Sequence, residues 1–238
     1  MNIAIIGYGK MGKEIEKIAK TRGINVVSII DQNGKGATFS EINEKSMKNV
    51  DVCIDFTRPD AVIDNLQKIS KFGKSIVIGT TGWNDKLGEA KKIVNHNNIG
   101  LIYASNFSIG VNIFFRIIKD AARMMNNVKG YDVFGYELHH SKKLDSPSGT
   151  AKIIEKILVD NIKRIDKVNF ASLRAGSIPG THIVGFDSST DTIELKHTAR
   201  NREGFALGAV MAAEWIQGKK GFFEINDMMN EMIGDKNV

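Results

Sequence analysis

The 238-residue chain contains little cysteine, little proline and no long apolar run. Its one cysteine, Cys53, excludes an internal disulfide framework and is typical of a reducing compartment, so we expect a cytoplasmic location. No segment approaches the roughly 18 apolar residues that a membrane-spanning helix needs. The apolar run at the N-terminus is too short for a signal peptide and follows no basic region. We therefore expect no membrane partner.

The charge pattern argues against a nucleic-acid partner. The formal net charge is +6, but the lysines are scattered among acidic residues, and no basic run alternates with aromatic residues. With 42% hydrophobic and 25% charged residues, the composition is that of a globular protein that buries a substantial core. The positive surface would attract small anionic substrates.

A glycine-rich turn follows the first apolar run. Residues 2–6 predict a short strand, and a helical pattern begins after the sequence Gly7-Tyr8-Gly9-Lys10-Met11-Gly12. In a dinucleotide-binding turn, the first glycine permits the bend, the second lets the backbone approach a pyrophosphate, and the third lets the helix pack on the strand. The strand before it, the helix after it and an acid 19 residues beyond Gly12 make this pattern specific, and we predict that the turn binds a dinucleotide cofactor.

The acid that ends the second strand bears on cofactor choice. Asp31 closes the apolar run INVVSIID, 19 residues beyond Gly12. A carboxylate at this position accepts hydrogen bonds from ribose hydroxyls and repels a 2′-phosphate, which favours NADH. Lys35 is close enough in sequence to weaken that repulsion, so NADPH remains possible.

Strands and helices then alternate, which predicts a Rossmann-like parallel sheet. Predicted strands cover 50–56, 75–82 and 100–107, with helices over 61–72 and 85–95 between them. Ligands of such sheets lie beyond the carboxyl ends of the strands. The loops at these ends are candidates to line the nicotinamide side of the cofactor: FTRP (56–59), GTTG (79–82) and ASNF (104–107).

The second half predicts a different layer, an α+β domain with a mixed open sheet. A helix is expected over 110–126 and another over Thr150–Ile162, with strands in YDVFGYELHH, VNFASLRAG, THIVGFDS and DTIELKHTA. The turn FDSSTDT predicts an antiparallel hairpin. We expect helices on one sheet face and a partner subunit on the other. The predicted domains are 1–107 with 203–238 for the dinucleotide, and 108–202 for substrate binding and oligomerisation.

Residues 136–154, YELHHSKKLDSPSGTAKII, concentrate proton carriers and cations before a helix. Alternation along a strand places His139 on the face of Glu137 and His140 on the opposite face, so the two histidines have different roles. Ser148 or Thr150 is expected to cap the helix. The free amides of Gly149 and Thr150 would then form an anion site. Together these groups suit a small acidic substrate that needs a proton.

The pattern E-L-H-H-x-K-K-x-D-S-P-S-G-T-A closely resembles the signature of the dihydrodipicolinate reductase family, which acts in diaminopimelate and lysine biosynthesis. The resemblance extends over nearly the whole chain, through GYGKMG, DFTRP at 55–59, GTTG at 79–82, ASNFSIGVN at 104–112, RAG at 174–176 and HTARNR at 197–202. It implies NAD(P)H-dependent reduction of a cyclic imine dicarboxylate, 4-hydroxy-tetrahydrodipicolinate, to tetrahydrodipicolinate.

The resemblance also implies roles for single residues. His139 matches the acid/base residue and Lys143 the proton donor, while His140, Gly149 and Thr150 match substrate-binding positions. The cofactor contacts of the family are matched by Gly7, Tyr8, Gly9, Lys10, Met11, Gly12, Asp31, Gly79, Thr80, Thr81, Ala104, Ser105, Asn106 and Phe107. Family members are typically cytoplasmic homotetramers, so we expect a homotetramer. We assign no metal site.

Two other readings are open at this point. A different small-substrate dehydrogenase, of the amino-acid dehydrogenase type, would share the architecture but has no need of the His-His-x-x-Lys loop followed by Ser-Gly-Thr. A non-catalytic NAD-sensing protein would keep the dinucleotide turn and lose the second site, which here is complete.

Overall fold

The computed structural model describes residues 1–234, which form two compact units. The first unit comprises Met1–Ile109 and the C-terminal segment from Glu203, and the second comprises Gly110–Arg202. The last four positions of the predicted range 203–238 lie outside the described residues.

The first unit is built around a six-stranded parallel sheet. Its strands are β1 (Asn2–Ile6), β2 (Asn25–Ile30), β3 (Val52–Asp55), β4 (Ser75–Ile78), β5 (Gly100–Tyr103) and β10 (Gly221–Glu224). Its helices are α1 (Lys10–Thr21), α2 (Glu44–Met47), α3 (Val62–Ser70), α4 (Leu87–Asn97), α7 (Glu203–Ile216) and α8 (Ile225–Ile233). The strand order is β10-β5-β4-β3-β1-β2.

The strands at the centre of the sheet form because each is a short apolar run buried on both faces. Every residue of β3 and of β4 is buried, as is usual where helices cover both sides of a parallel sheet. The Rossmann-like sheet predicted from the alternating pattern is therefore confirmed. After α7 the structure has β10 at the sheet edge, followed by α8, neither of which was predicted. A four-residue strand gives too short a pattern for periodicity to reveal it.

The second unit contains a four-stranded mixed sheet and two helices. Its elements in chain order are α5 (Ile109–Asn126), β6 (Asp132–His139), α6 (Gly149–Asn161), β7 (Asn169–Arg174), β8 (Thr181–Asp187) and β9 (Thr192–Thr198). The strand order is β7-β6-β8-β9, in which β6 and β7 are parallel and the other pairs antiparallel. The predicted mixed sheet and the β8–β9 hairpin are confirmed.

Helices α5 and α6 cover one face of this sheet, as predicted. Phe114 and Ile118 of α5 and Leu158 of α6 pack in one buried cluster with Val184 and Phe186 of β8. Burial of each such side chain stabilises the fold by about 1.5–3 kcal/mol. Alternate residues of β6 point toward this face, so Val133 makes it apolar at one end of the strand and Glu137 makes it polar toward the other.

The opposite sheet face carries partly exposed aromatic and aliphatic side chains. The rings of Phe134 and Tyr136 stack with their centroids 6.5 Å apart, and Phe134 lies over Gly185, where a Cβ would be 2.0 Å from the ring. Leu173 on the neighbouring strand is 50% exposed. Apolar groups of this size on the open face of a sheet are typical of an interaction surface.

Among residues 1–234, no helix has both the length and the apolar character that crossing a membrane requires.

Candidate active site

The predicted cofactor residues of the first unit gather at one edge of its sheet. Because the strands are parallel, the segments after β1, β2, β3, β4 and β5 all emerge at their carboxyl ends. The order of the strands changes direction at β1, because β2 lies on one side of β1 whereas β3 and the later strands lie on the other. Such a reversal leaves a crevice where nucleotides bind in open α/β sheets.

The glycine turn after β1 has the close contacts that require glycine. Gly7 has φ +88°, and a Cβ there would lie 2.5 Å from the carbonyl oxygen of Phe56. A Cβ on Gly12 would lie 2.3 Å from the carbonyl oxygen of Gly7. No heavy atom lies within 4 Å of the equivalent position at Gly9, among the described residues. This open space at the start of α1 fits a pyrophosphate group.

The other residues of the turn have separate positions. Lys10 begins α1 and is exposed, whereas Met11 packs in part against the core. The hydroxyl of Tyr8 donates to Glu16, which raises the pKa of the tyrosine. These residues line the turn through their backbone, and only Lys10 extends a charge from it.

Asp31 is placed beside the glycine turn and is held as an anion. Its carboxylate accepts hydrogen bonds from the amides of Tyr8 at 2.6 Å and Asn33 at 2.9 Å. Burial alone would raise the pKa of Asp31, but the backbone amides of Tyr8, Asn33 and Gly34 outweigh it and hold the pKa below its ordinary value. A carboxylate fixed next to the turn can accept from ribose hydroxyls. Lys35 is exposed.

The remaining predicted cofactor residues line the same edge. Thr80 is buried and accepts from the amide of Thr57 at 2.9 Å, while Thr81 and Ser105 are exposed. Asn106 accepts from the amide of Ser108 at 2.8 Å. A Cβ on Gly79 would lie 2.0 Å from the ring of Phe56. The side chains of Ala104 and Phe107 belong to the core, so these two residues offer only backbone groups to a ligand.

A buried carboxylate that the sequence analysis missed joins two of these loops. Asp55 ends β3 and accepts from the amide and hydroxyl of Thr57, at 2.9 and 2.7 Å, and from the amide group of Asn65 at 2.9 Å. Its burial raises the pKa in spite of these bonds. Asp55 therefore fixes the loop after β3 against Thr80 of the loop after β4.

In the second unit, the centre of the polar end is the fully buried Glu137. Its Oε1 accepts from the amide of Ser148 at 2.9 Å, the hydroxyl of Ser172 at 2.9 Å and the guanidinium of Arg174 at 2.7 Å. Burial alone would raise the pKa of Glu137, but these bonds outweigh it and lower the pKa to about 2. Glu137 is therefore ionised at neutral pH.

Two histidines face the second oxygen of this carboxylate. His139 Nδ1 and His182 Nε2 each lie 3.4 Å from Glu137 Oε2, and the rings meet edge to face with centroids 5.1 Å apart. Burial, followed by the neighbouring His139, lowers the pKa of His182 to about 4. Burial lowers the pKa of His139, and Lys143 and Arg174 lower it further against the opposing charge of Glu137. Both rings are therefore largely neutral at pH 7.

The strand-face prediction is confirmed for His139, which shares a buried face with Glu137. β6 ends at His139, so His140 begins the following loop, where its carbonyl accepts from the amide of Lys143 at 3.1 Å. Ser148 caps α6 by accepting from the amide of Ala151 at 3.1 Å, and Thr150 lies in the first turn.

One detail of the predicted anion site is wrong. The amide of Gly149 is not free, because it donates to Asp145 Oδ2 at 3.3 Å, and Asp145 Oδ1 accepts from Lys143 Nζ at 2.7 Å. Lys143 and the start of α6 thus already hold one carboxylate, which lowers the pKa of Asp145. The amide of Gly149 was predicted to be free because local patterns do not show that Asp145, in the same loop, accepts its hydrogen bond.

Sequence reasoning also missed Arg174, His182 and the buried role of Glu137. Glu137 and Arg174 stand in the quoted motifs ELHH and RAG, but the strand register that joins them is set by pairing between β6 and β7. His182 has no local signal, and pairing between β6 and β8 brings it opposite Glu137. The donor atoms of Glu137, His139 and His182 lie within 4.8 Å of one another, a spacing that a metal ion could bridge.

The buried histidine makes stability depend on pH. Because the pKa of His182 is about 4 in the folded state and 6.5 ordinarily, the unfolded chain takes up a proton first on acidification. The stabilisation is complete above pH 6.5 and is lost as the pH falls toward 4. The free energy of unfolding should therefore fall between pH 7 and pH 4, and we expect His182→Gln to make this fall smaller by on the order of 2–3 kcal/mol.

Urea unfolding followed by circular dichroism at intervals from pH 7 to 4 measures this difference. His96→Gln is the matched control, because His96 is exposed on α4. An equal loss of unfolding free energy in wild type and His182→Gln would contradict the assignment.

Comparison with known proteins identifies the family. The chain matches two family models, Dihydrodipicolinate reductase, N-terminus, over residues 1–107 and Dihydrodipicolinate reductase, C-terminus, over residues 110–229. A 4-hydroxy-tetrahydrodipicolinate reductase from Christiangramia forsetii is 40% identical over 243 residues, covering 98% of this chain and 99% of that protein. The protein of the same name from Ralstonia pickettii is 33% identical and covers 96% of this chain and 99% of its own length.

A solved structure shares the fold. The dipicolinate-bound dihydrodipicolinate reductase from Paenisporosarcina sp. TG-14 has a TM-score of 0.81 at 23% identity, covering 96% of this chain and 99% of that one. Since both halves match and the relatives span nearly the whole sequence, this chain belongs to the dihydrodipicolinate reductase family, as its motifs predict.

Proposed function

We propose that this chain catalyses the NAD(P)H-dependent reduction of 4-hydroxy-tetrahydrodipicolinate to tetrahydrodipicolinate in diaminopimelate and lysine biosynthesis. The overall reaction consumes one NAD(P)H and one proton and releases one water. The bound cofactor supplies the hydride, so the chain must hold a dicarboxylate and deliver the proton. The first unit is proposed to bind the dinucleotide, and the second to bind the substrate.

The observation that carries the proposal is the arrangement at the polar end of the second unit. Lys143 lies close enough to His139 for its charge to lower the pKa of the imidazole, and the same ammonium holds a carboxylate at the start of α6. A substrate carboxylate would bind the same groups through charge-assisted hydrogen bonds. A cyclic dicarboxylate, dipicolinate, is bound by the related enzyme of the same fold.

The roles proposed for single residues are those that the family resemblance implies. His139 acts as the acid/base residue, and Lys143 donates the proton that the reaction consumes. His140, Gly149 and Thr150 bind the substrate, the last two through amides of the first turn of α6. The Lys143 ammonium also balances negative charge on the substrate as the hydride arrives.

The cofactor turn is proposed to prefer NADH. Asp31 is held as an anion beside the turn, where it would accept from ribose hydroxyls and repel a 2′-phosphate. Lys35 is exposed nearby in sequence and does not pair with Asp31 among the described contacts. NADPH is the weaker cofactor in this proposal.

The free face of the mixed sheet is proposed to bind further copies of the chain, giving a homotetramer. This face carries Phe134, Tyr136 and the half-exposed Leu173, which a monomer would leave in water. The cytoplasm is the proposed compartment. The one cysteine supports it, since Cys53 is a free thiol and the described chain has no disulfide, as is usual in a reducing compartment.

Substitution of the proton carriers tests the activity. Wild type is expected to oxidise NADH only when it is given freshly prepared cyclic product of pyruvate and aspartate semialdehyde, as followed by cofactor absorbance. His139→Gln and Lys143→Ala should each lower kcat by about 10²- to 10⁴-fold, the usual range for a lost acid or base. Cofactor binding should be unchanged in both.

Lys142→Ala is the matched control, because Lys142 is exposed beside Lys143. Wild-type turnover in either substituted enzyme would remove that residue from catalysis. No turnover by the wild type, despite measured cofactor binding, would favour a sensor of the dinucleotide over an enzyme.

Cofactor preference is measured by calorimetry. Wild type should bind NADH more tightly than NADPH, and Asp31→Asn should narrow the ratio of the two dissociation constants by about fivefold or more, because a charge contact is worth about 1 kcal/mol or more. Asp85→Asn, which removes an exposed carboxylate of the same unit, serves as the control. Tighter binding of NADPH by the wild type would overturn the preference.

Light scattering with size-exclusion chromatography tests the assembly. Wild type is expected to elute as a tetramer, and Leu173→Lys as a smaller species, because the new charge would be buried in the interface. Met124→Lys, at a position on α5 that is 68% exposed, should stay tetrameric. A monomeric wild type would exclude the homotetramer.

A further inference from the structure

Oε2 of the buried Glu137 lies 3.4 Å from Nδ1 of His139, and this contact shows how that ring is held. We propose that Glu137 is a positioning residue for His139: its carboxylate accepts the Nδ1–H of the imidazole and so fixes the tautomer that leaves Nε2 for the substrate. This inference rests on the proposed function, in which His139 is the acid/base residue.

The first step of the argument is that Glu137 can only accept. Three donors, from Ser148, Ser172 and Arg174, converge on Oε1 and hold the group as an anion. An ionised carboxylate carries no hydrogen, so any hydrogen bond to Oε2 must come from its neighbour. Oε2 is buried and has no hydrogen-bond partner among residues 1–234.

The second step is that His139 Nδ1 faces this free acceptor. Nδ1 is itself buried without a hydrogen-bond partner in the described part of the chain, and it lies 3.4 Å from Oε2. That separation is slightly longer than a formed hydrogen bond. Catalytic hydrogen bonds are often long before substrate binds and shorten in the complex. Two complementary groups that lack partners and face each other form a bond after a small movement.

The third step concerns the opposite side of the ring. Nε2 faces the backbone at Gly180, which has φ +150°, and a Cβ there would lie 3.1 Å from Nε2. Glycine therefore leaves room in front of the nitrogen that the proposed tautomer keeps free of hydrogen. The edge-to-face contact with His182 limits rotation of the ring. His182 Nε2 has its own partner, the hydroxyl of Ser148 at 3.1 Å.

A divalent cation is the competing occupant of this cluster. The 3.4 Å separations from Glu137 Oε2 are close to the ligand spacing of a tetrahedral ion with bonds of about 2.0–2.1 Å. However, the guanidinium of Arg174 lies 2.7 Å from the same carboxylate, and the ammonium of Lys143 is close to His139. A dication would meet two fixed positive charges and only one buried negative charge, so an internal hydrogen bond fits the charges better.

The charges around His139 give the direction of the expected pH effect. Glu137 on β6 and Asp145 on the loop favour the imidazolium, while Arg174 on β7, Lys143 on the loop and a protonated His182 on β8 oppose it. His197 on β9 pairs with His182 across the two strands, and it disfavours the imidazolium form of His139 only when its own ring is protonated. Loss of the Glu137 charge would leave the cations in excess, and the pKa of His139 would fall.

The decisive measurement is the tautomer of His139 in the intact chain, by two-bond ¹H–¹⁵N spectra of histidine-labelled protein, with His139→Gln used for assignment. We expect neutral His139 of the wild type to carry its hydrogen on Nδ1. A hydrogen on Nε2 would overturn the proposal, whether or not any variant folds. Because this spectrum requires no turnover, it also separates the proposal from the proposed enzymatic function.

Variants then connect the tautomer with activity. Glu137→Gln should lose the Nδ1–H preference, lower kcat/KM by about 10- to 1000-fold, and move the acidic limb of its pH profile to lower pH, because the active form has an unprotonated Nε2. Glu137→Asp, which keeps the charge, should recover part of the Nδ1–H preference and part of kcat/KM. Gly180→Ala should keep the Nδ1–H tautomer yet lose turnover, because its methyl group occupies the space at Nε2.

Asp166→Asn is the matched control, since it removes one exposed negative charge from the same unit. A Glu137→Gln enzyme with a wild-type tautomer and pH profile would show that the carboxylate is only structural. Turnover abolished by a chelator and restored by Zn²⁺ would replace the proposal with a metal site.

Discussion

The second unit depends on one buried negative charge. Glu137 is fully buried, and it remains ionised because Arg174 and two serines satisfy its Oε1. Removing one partner of a buried ion pair typically costs on the order of 3–5 kcal/mol, because the other charge is left without compensation. The carboxylate joins β6, β7 and the start of α6, so the same contacts that stabilise this end of the sheet also shape the candidate site.

Strand pleating explains how one sheet face serves both the core and the chemistry. Alternate residues of β6 point toward α5 and α6, and along this row the apolar Val133 gives way to Glu137 and His139. The apolar end buries the helices. The polar end anchors α6 directly, because the amide of Ser148, its capping residue, donates to Glu137. The loop that carries Lys143 is thereby fixed at one end to His139 and at the other to a helix tied to the same carboxylate.

Local patterns predicted the parts of the molecule whose signals are contiguous in sequence. The glycine turn, Asp31, the alternating strands and the shared face of Glu137 and His139 could all be read from spacing. Arg174 and His182 could not, because strand pairing with β6 brings them to Glu137 from distant positions. The contact of Asp145 with the amide of Gly149 was missed for another reason, since it depends on the path of a loop. Non-local register and loop conformation set the limit of sequence reasoning here.

The pairing of Lys143 with Asp145 shows how such a site can be ready for an anion at little cost. Asp145 is half exposed, and ion pairs of this kind contribute only about 0–1 kcal/mol. In the proposed reaction, a substrate carboxylate competes with Asp145 for the same ammonium and the same helix amide. The exchange replaces a weak, solvated pair with one that the substrate shields from water, and electrostatic attraction strengthens as water is excluded. Glu137 takes no part in this exchange, since its buried partners hold it in place. One carboxylate thus positions the imidazole permanently, while the other keeps the anion site ordered until substrate binds.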